Sequence, residues 1–213
     1  MTPIITHDDL AALASVNKPF SRQGWVFELK YDGFRALGAN DPGAEVRLLS
    51  RRGTDLLSCF PEIGLSLEGL PNCVLDGELV SLDEMGRPVF ERLSRRFRLK
   101  REIAIADASQ KEPAVLFAFD LLALRGRDVR RWPLLKRKDA LKSLVKGSER
   151  IRYVEHIGEE GAKLFAMAES LGLEGIVAKR IDSLYYRGRE SGWVKIKTAA
   201  GRALDEERSK WNE

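Results

Sequence analysis

Short stretches of alternating apolar and polar residues recur along the chain. In WVFELK, the apolar residues Trp25, Phe27 and Leu29 occupy every second position, and the positions between them include Glu28 and Lys30. A period of two residues is typical of a strand with one buried face, which leaves Glu28 and Lys30 on the polar face. Similar alternation, or a short apolar run, predicts further strands at 34–39, 45–50, 73–83, 114–124, 151–157, 174–181 and 193–198.

Helical spacing of apolar residues accounts for much of the remaining chain. Asp32 and Gly33 are expected to form a tight turn at the end of the first long strand. Helices are predicted at 7–14 with an aspartate cap, 59–70, 89–100, 133–145 and 159–172, with a loop or partial helix at 101–113. Because strands and helices mix without strict alternation and hairpins are frequent, we predict an α+β fold with mostly antiparallel sheets.

Composition narrows the class of protein only moderately. The 213 residues, 44% of them hydrophobic, suit one domain or one domain with two lobes. A net charge of +4 permits a polyanionic partner without requiring one. The two cysteines lack metal-ligand spacing and are expected to be free thiols in a reducing compartment. Neither a signal peptide nor an apolar run of bilayer length is apparent, so we expect a soluble, cytoplasmic protein that does not bind membranes.

Several predicted strands carry charged residues where apolar ones would be expected. Examples are Glu78 in LDGELV, Glu174 in EGIVAKR, and the pair Lys195 and Lys197 in WVKIK. Burial of a charge costs several kcal/mol unless the charge is paired or binds something. Each stretch alone is explained better by an exposed strand face than by a functional site. Taken together with Lys30 beside its turn, they favour a shared site for an anionic ligand and a metal ion.

These stretches resemble the ordered motifs of the covalent nucleotidyltransferases, which include ATP-dependent DNA ligases, RNA ligases and mRNA capping enzymes. ELKYDGFR resembles the K-x-D-G-x-R signature, and LLSRRGTDL, LDGELV, FAFDLL, EGIVAKR and WVKIK follow it in the family's order. The sequences of the last three motifs are most similar to those of the bacterial ATP-dependent DNA ligases, including the ligase modules of end joining. Six ordered elements make a chance agreement very improbable.

The resemblance implies the family's nucleotidyltransferase fold, in which antiparallel sheets flanked by helices hold the nucleotide in the cleft between them. The adenylation domain is expected to span 1–198, followed by a charged, helix-prone tail at 199–213. The tail is too short for the roughly five strands of an oligonucleotide-binding barrel, so no such domain is expected in the chain. Asp205 and Glu206 also make the tail a poor DNA clamp, so a partner protein is expected to supply the missing grip on DNA.

The resemblance also implies roles in the reaction. Lys30 would attack the α-phosphate of ATP to give lysyl–AMP, which it can do only in its neutral form. Lys195 and Lys197 would neutralise the charge that develops on the phosphate. Glu174 would bind Mg²⁺ (or Mn²⁺), and Glu78 would contact the ribose hydroxyls or a second metal ion.

The implied nucleotide contacts involve five further residues. Phe119 would stack on the adenine, and Glu28 with the adjoining backbone of Leu29 would contact the adenine edge. Arg35 and Arg51 would contact the sugar, the phosphates and later the nick. Phe117 is expected to be a core residue. Lys179 alternates away from Glu174, which is typical of a surface residue.

Three functions are compatible with the sequence. The first is a minimal ATP-dependent DNA ligase that forms lysyl–AMP and transfers AMP to the 5′-phosphate of nicked double-stranded DNA during strand joining or repair. The second is an RNA ligase or another nucleotidyltransferase of the superfamily, and the third is a non-catalytic module that binds nucleotide or DNA. The basic segment 95–101 fits a solvated helix face and a track for DNA phosphates equally well.

Overall fold

The computed structural model describes residues 5–41 and 45–210, with side chains up to residue 206. The strands are β1 Ala14–Ser15, β2 Trp25–Lys30, β3 Phe34–Asn40, β4 Arg47–Ser50, β5 Cys73–Ser81, β6 Ala114–Leu124, β7 Arg127–Asp128, β8 Ile151–Tyr153, β9 His156–Gly158, β10 Gly175–Arg180 and β11 Val194–Lys197. The α-helices are α1 Pro61–Glu68, α2 Phe90–Phe97, α3 Glu102–Lys111, α4 Leu134–Leu144, α5 Gly161–Ser170 and α6 Ala199–Lys210. Single 3₁₀ turns occur at His7–Asp9 and Arg189–Ser191. Sheets and helices of this kind confirm the predicted α+β class.

The chain divides into two compact units, neither of which is continuous in sequence. The first unit comprises the residues up to Leu10 together with Asp32–Tyr153. The second comprises Ala11–Tyr31 and the residues from Val154 onwards. One of the divisions falls directly after Tyr31, inside the K-x-D-G-x-R signature.

The first unit is built on a sheet in the order β4-β3-β5-β6-β7, with β8 parallel to β6. The pairings β3–β4, β3–β5, β5–β6 and β6–β7 are antiparallel. Helices α1, α2 and α4 pack against this sheet, and the core they share includes Phe60, Ile63, Leu93, Leu116 and Leu141. Burial of such side chains at 0% exposure is the main source of stability for this unit.

The second unit is built on a sheet in the order β1-β11-β10-β2-β9, antiparallel except for the β1–β11 pair. Helix α5 covers one face, where Phe27, Leu164, Phe165, Ile176 and Ile196 form the core. Trp25 and Leu29 pack against the same cluster, which confirms that the alternate residues of β2 form its apolar face. The opposite face is therefore the one that carries Glu28 and Lys30.

Three local predictions were wrong. The predicted helix at 7–14 is a 3₁₀ turn capped by Thr6, because Ala11 and Ala14 instead pair with Gly188 and Val194. The predicted strand at 151–157 is two strands in different sheets, one pairing with β6 and one with β2. The tight turn expected at Asp32 and Gly33 would join neighbouring strands, but the strands that these residues link, β2 and β3, belong to different sheets.

The structure also describes the remaining helices and both cysteines. The segment 101–113 contains a regular helix, α3, and residues 199–210 form α6. The turn expected between β3 and β4 includes residues 42–44, which lie outside the described residues. Both cysteines are free and buried, and burial raises the pKa of the Cys73 thiol to about 12. Across the described residues, no helix combines the length and apolar character needed to cross a membrane.

Candidate active site

The polar face of the second unit's sheet gathers charged residues from three strands. Gly175 in β10 is opposite both Lys30 in β2 and Lys197 in β11. In the next row, Val177 is opposite both Glu28 and Lys195. Cross-strand partners project from the same face of a sheet, so residues distant in sequence form one charged surface opposite α5.

Glu174 joins the two lysines of the first row. Its Oε2 atom accepts a hydrogen bond from Lys30 Nζ at 2.7 Å, and its Oε1 atom lies 2.7 Å from Lys197 Nζ. Only 4% of the Glu174 side chain is exposed, compared with 19% for Lys30. One buried carboxylate therefore bridges two ammonium groups that come from strands 144 and 23 residues away along the chain.

The backbone at Gly175 is what brings Glu174 to this face. Simple alternation along β10 would direct Glu174 away from the side that carries Val177 and Lys179. Gly175 has φ = +153°, a conformation that side-chain-bearing residues rarely adopt. A Cβ atom at this position would lie 2.2 Å from the carbonyl oxygen of Ile196. Only glycine fits here, and its backbone reverses the direction that alternation predicts.

Thr198 anchors Glu174 from the other side. Its backbone N–H donates to the Glu174 carbonyl at 3.2 Å, and its hydroxyl donates to the Leu173 carbonyl at 2.5 Å. The same hydroxyl accepts from the N–H of Gly201 at 3.1 Å, which satisfies a donor in the first turn of α6. Thr198 is fully buried, so the start of α6 and the backbone that carries Glu174 are held together.

The cluster is rich in positive charge. Partial burial, followed by repulsion from Lys197, lowers the pKa of Lys195 from its ordinary value. Within the described part of the chain, Lys195 makes no ion pair. Partial burial acts to lower the pKa of Lys197, but its hydrogen bonds to Asp205 and Glu174 outweigh burial and raise it. Lys30, Lys195 and Lys197 thus share this face with the carboxylates of Glu174 and Asp205, which compensate only part of the lysines' charge, and this arrangement suits a phosphate.

Glu28 forms a second buried ion pair beside this cluster. Its Oε2 atom is 2.7 Å from Lys179 Nζ, and both side chains are at most 3% exposed. Lys179 also lies 4.0 Å from the centre of the Trp193 ring. The expectation that Lys179 is a surface residue was therefore wrong, because the opposing carboxylate and ring compensate its burial.

Only the backbone of Leu29 lies where a ligand could contact it, because its side chain belongs to the apolar face of β2. The side chain packs into the apolar cluster under α5. Pairing with β9 ends at Glu28, so Leu29 and Lys30 have registered partners only in β10. At Leu29 and Lys30, the backbone edge of β2 that faces away from β10 therefore extends beyond the last residue that pairs with β9.

The first unit holds the other predicted site residues. Arg35 in β3 donates from Nε to Asp76 Oδ1 at 3.0 Å and from Nη2 to Asp76 Oδ2 at 2.7 Å. Asp76 is fully buried, and the guanidinium carbon of Arg35 lies 5.5 Å from the centre of the Phe119 ring. Glu78 is directly opposite Arg35 in the neighbouring strand and is half-buried. This bidentate ion pair fixes the orientation of the Arg35 guanidinium on the sheet.

Phe119 owes its position to an irregularity in β6. Gly77 pairs with Ala118 and Asp76 pairs with Asp120, so Phe119 is the extra residue of a β-bulge in this ladder. Bulges of this kind redirect a side chain, and Phe119 is half-buried whereas Phe117 is only 7% exposed. The assignment of Phe117 to the core is confirmed.

Arg51 lies in a tight turn after β4. Gly53 N–H donates to the Ser50 carbonyl at 2.9 Å, and Gly53 has φ = +78°. Arg51 N–H donates to the Arg35 carbonyl at 3.2 Å, which places the turn next to β3. The Arg51 side chain is exposed and thus accessible to a ligand.

The donor set fits a metal ion only together with phosphates. Among residues 5–41 and 45–206, no group of three or more His, Cys, Asp or Glu side chains converges. Glu174 supplies one carboxylate, but each of its oxygens is held by a lysine. Mg²⁺ is commonly bound by one or two carboxylates plus substrate phosphates, and phosphates would also offset the nearby ammonium groups.

The basic segment 95–101 divides into two parts. Arg96 is fully buried and donates to Glu62 and to the Cys59 carbonyl, and Arg95 pairs with Glu112. Arg98, Lys100 and Arg101 are exposed. Arg96 is therefore structural, whereas Arg95, with 60% of its side chain exposed, and the three exposed residues that follow can face solvent or a polyanion.

Sequence reasoning missed the residues that hold the site in place. Thr198, Lys179, Asp76 and Asp205 each contact a predicted site residue. The position of Thr198 directly before a helical segment, with small residues after it, was a detectable capping signal. No signal in the sequence indicated the pairings of Lys179 and Asp205, because these depend on strand register and on the path of α6.

Known proteins resemble this chain over most of its length. The family model for the ATP dependent DNA ligase domain matches residues 9–197. The multifunctional non-homologous end joining protein LigD of Pseudomonas aeruginosa is 36% identical over 189 residues, which are 87% of this chain and 21% of that protein. The chain thus spans about a fifth of the length of the LigD proteins that it matches.

Solved structures show the same fold. The ligase domain of LigD from M. tuberculosis is 33% identical with a TM-score of 0.71, over 91% of this chain and 62% of that one. A mycobacterial DNA ligase D complexed with ATP and MES is 31% identical with a TM-score of 0.73, over 89% of this chain and 60% of that one. With a family model that covers most of the chain and relatives at this level of identity, the chain belongs to the family of ATP-dependent DNA ligase domains.

Proposed function

We propose that this chain carries out the nucleotidyl transfer of an ATP-dependent DNA ligase through a covalent lysyl–AMP intermediate. Lys30 Nζ attacks the α-phosphorus of ATP, a nitrogen–phosphorus bond forms, and the bond to the β-phosphate oxygen breaks to release pyrophosphate. AMP then passes from Lys30 to the 5′-phosphate at a nick. The observation that carries this proposal is the bridge from Lys30 through Glu174 to Lys197, with Lys195 on the same sheet face.

The contacts of Lys30 support its role as nucleophile. A lysine attacks only after it loses a proton, and Lys30 Nζ donates to Glu174 Oε2 at 2.7 Å. That hydrogen bond holds the amine in place and offers a path by which its proton can leave. The charged forms of Lys195 and Lys197 stabilise the negative charge that grows on the α-phosphate as pyrophosphate departs.

The remaining site residues recognise the nucleotide in this proposal. Phe119 stacks on the adenine, and Glu28 with the backbone of Leu29 contacts its edge. Arg35 and Arg51 contact the sugar and phosphates and, in the second step, the nick. The half-buried Phe119 ring and the exposed Arg51 side chain support these assignments, since both are accessible to a ligand.

A divalent cation completes the proposed site. Glu174 would hold Mg²⁺ or Mn²⁺ together with nucleotide phosphates, and Glu78 would contact the ribose hydroxyls or a second ion. When bound, the ion would neutralise charge on the triphosphate and the leaving pyrophosphate.

The proposed acceptor is nicked double-stranded DNA, with a partner protein supplying part of the grip on it. Arg98, Lys100 and Arg101 offer exposed positive charge for phosphates. Asp205 and Glu206 are exposed in α6 and repel phosphates. For this reason the proposal includes a partner protein that also binds the DNA. Titration of nicked duplex against salt measures how many phosphates the chain contacts by itself.

Incubation with α-³²P-labelled ATP and Mg²⁺, followed by denaturing electrophoresis, tests the first step. We expect the native chain to retain the label and Lys30→Ala to lose it. Lys163→Ala is the matched control, because Lys163 is 77% exposed on α5 and should leave labelling unchanged. Absence of label on a folded native chain that mass spectrometry shows to be free of AMP would contradict the proposal.

The second step is tested with the labelled protein. Nicked DNA and an equivalent nicked RNA are offered separately, and the label is followed from protein to nucleic acid. We expect transfer to the 5′-phosphate of DNA to be the faster. Faster transfer to RNA would replace the DNA ligase proposal with an RNA ligase.

A further inference from the structure

Lys197 contacts a carboxylate outside the buried bridge. Its Nζ atom is 2.7 Å from Glu174 Oε1 and 2.6 Å from Asp205 Oδ1. The two carboxylates differ in accessibility, since the Glu174 side chain is 4% exposed and that of Asp205 is 57% exposed. One partner is thus a fixed part of the site, and the other reaches it from solvent.

Helix α6 delivers Asp205 to this position. The start of the helix is tied to the backbone of Glu174 through Thr198. Gly201 packs so closely on that backbone that a Cβ atom would lie 1.9 Å from the Glu174 carbonyl oxygen. Arg202 donates to the Lys197 carbonyl at 2.7 Å. Asp205 lies about one turn further along, so the helix is anchored while the carboxylate at its exposed side meets Lys197.

We propose that Asp205 is an exchangeable counter-ion for Lys197, which it pairs with in the ligand-free protein and releases when a phosphate group of the nucleotide binds. The proposal rests on the proposed function, in which Lys197 contacts the α-phosphate. It assigns to α6 a direct influence on nucleotide affinity.

The accessibility of Asp205 supports an exchange. Its side chain is 57% exposed whereas that of Lys197 is 13% exposed, so water can solvate the Asp205 carboxylate when it leaves Lys197, and Lys197 stays in the cluster. A polyphosphate carries more charge than a carboxylate and also attracts Lys195, so it competes well for Lys197. Once displaced, Asp205 remains close to the phosphates and repels them.

Removal of the Asp205 charge should therefore strengthen binding. Because the phosphates would no longer compete with the Asp205 carboxylate for Lys197, we expect Asp205→Asn to lower the Kd for a nucleoside triphosphate by about three- to tenfold. Asp205→Glu keeps the charge and should stay near the native value. Glu206→Gln is the matched control, because it removes the same charge from the next exposed position of α6.

Isothermal titration with α,β-methylene-ATP and Mg²⁺ measures the affinity, since the methylene bridge prevents transfer of AMP to Lys30. Thermal unfolding of each variant establishes that α6 and the fold are intact. A lower Kd for Asp205→Asn alone supports the exchange. If Glu206→Gln lowers the Kd by the same factor, the effect comes from the net charge of α6 and the proposal is overturned. If Asp205→Asn raises the Kd, Asp205 is a positioning residue for Lys197, and the proposal is overturned as well.

Failure of this inference is separable from failure of the proposed function. If the native chain binds the analogue and retains label from ATP, but Asp205→Asn behaves like the native chain, only the role of Asp205 is wrong. If the native chain neither binds the analogue nor retains label, the proposed function itself fails and Lys197 has no phosphate partner to exchange.

Discussion

At the scale of single residues, the buried ion pairs of the first unit show how a buried charge is compensated by an opposite charge in contact with it. Asp120 and Arg137 are each 0% exposed and are joined by hydrogen bonds of 2.7 and 2.9 Å. Neighbouring Asp76 is buried too and is neutralised by Arg35. Two carboxylates that face each other across β5 and β6 are thus tolerated because each has its own arginine.

Asp120→Asn should destabilise the protein strongly. The substitution leaves the Arg137 guanidinium buried without its counter-charge, a change that typically costs about 3–5 kcal/mol. Urea unfolding followed by circular dichroism measures the loss. In the control Asp128→Asn, which breaks a partly exposed pair with Arg130, the expected loss is about 0–1 kcal/mol. Equal losses for both variants would mean that burial does not determine the worth of these pairs.

Cys73 gives a testable dependence of stability on pH. Burial raises the pKa of its thiol from 9.0 to about 12. Below about pH 9 the thiol is neutral in both the folded and the unfolded chain, so its contribution to stability is fully present. As the pH rises through that value, the unfolded chain loses the proton first, and the contribution is progressively lost as the pH approaches the folded pKa.

Unfolding midpoints of the native chain and Cys73→Ala, measured from about pH 7 to 10.5, test this linkage. The native midpoint should fall more steeply above about pH 9 than that of the variant. Cys59→Ala controls for the loss of a buried thiol. Parallel curves for the native chain and Cys73→Ala would remove Cys73 as a source of the alkaline loss.

At the scale of elements, the contact between α6 and the residues before β10 organises the lysine cluster. Gly201 allows the helix to approach the Glu174 backbone, and Thr198 joins the two by hydrogen bonds. Glu174 in turn bridges Lys30 and Lys197. A displacement of α6 would therefore move the Glu174 carboxylate and, through it, Lys30, the proposed nucleophile.

Gly201→Ala should weaken both stability and labelling by ATP. Its new methyl group meets the Glu174 carbonyl oxygen, and such overpacking typically costs about 1–3 kcal/mol. Gly69→Ala is the control, since Gly69 has φ = −72° and the nearest atom to its Cβ would be 3.7 Å away. Thermal unfolding and the rate of label uptake measure the two effects. If Gly201→Ala matches Gly69→Ala in both, α6 does not control the position of Glu174.

At the scale of the whole molecule, the first unit is nearly continuous in sequence. Apart from the residues up to Leu10, it is formed by Asp32–Tyr153, which is inserted between the two parts of the second unit. Its core is drawn from residues 36–151. A segment with its own sheet and core is expected to fold independently.

A fragment of residues 32–153 should therefore unfold cooperatively in urea, with a helix and strand content like that described for this unit. It should be less stable than the unit in the full chain, because it lacks the 2.9 Å pair between Asp9 and Arg130. Asp120→Asn in the fragment should reproduce the destabilisation seen in the full chain. A fragment without a cooperative transition would show that the unit depends on the rest of the protein.

The sequence by itself determined the class of the fold and most of its elements, because alternation and helical spacing are local properties of the chain. It also predicted the lysines and carboxylates of the candidate site, through six ordered motifs; their roles stay predictions. Tertiary structure alone decided which way Glu174 points, because the positive φ of Gly175 reverses the alternation of β10. It also decided that Lys179 is buried and that Asp205 reaches Lys197. These contacts join residues that are distant in sequence, so they follow from strand register and helix packing and not from any local pattern.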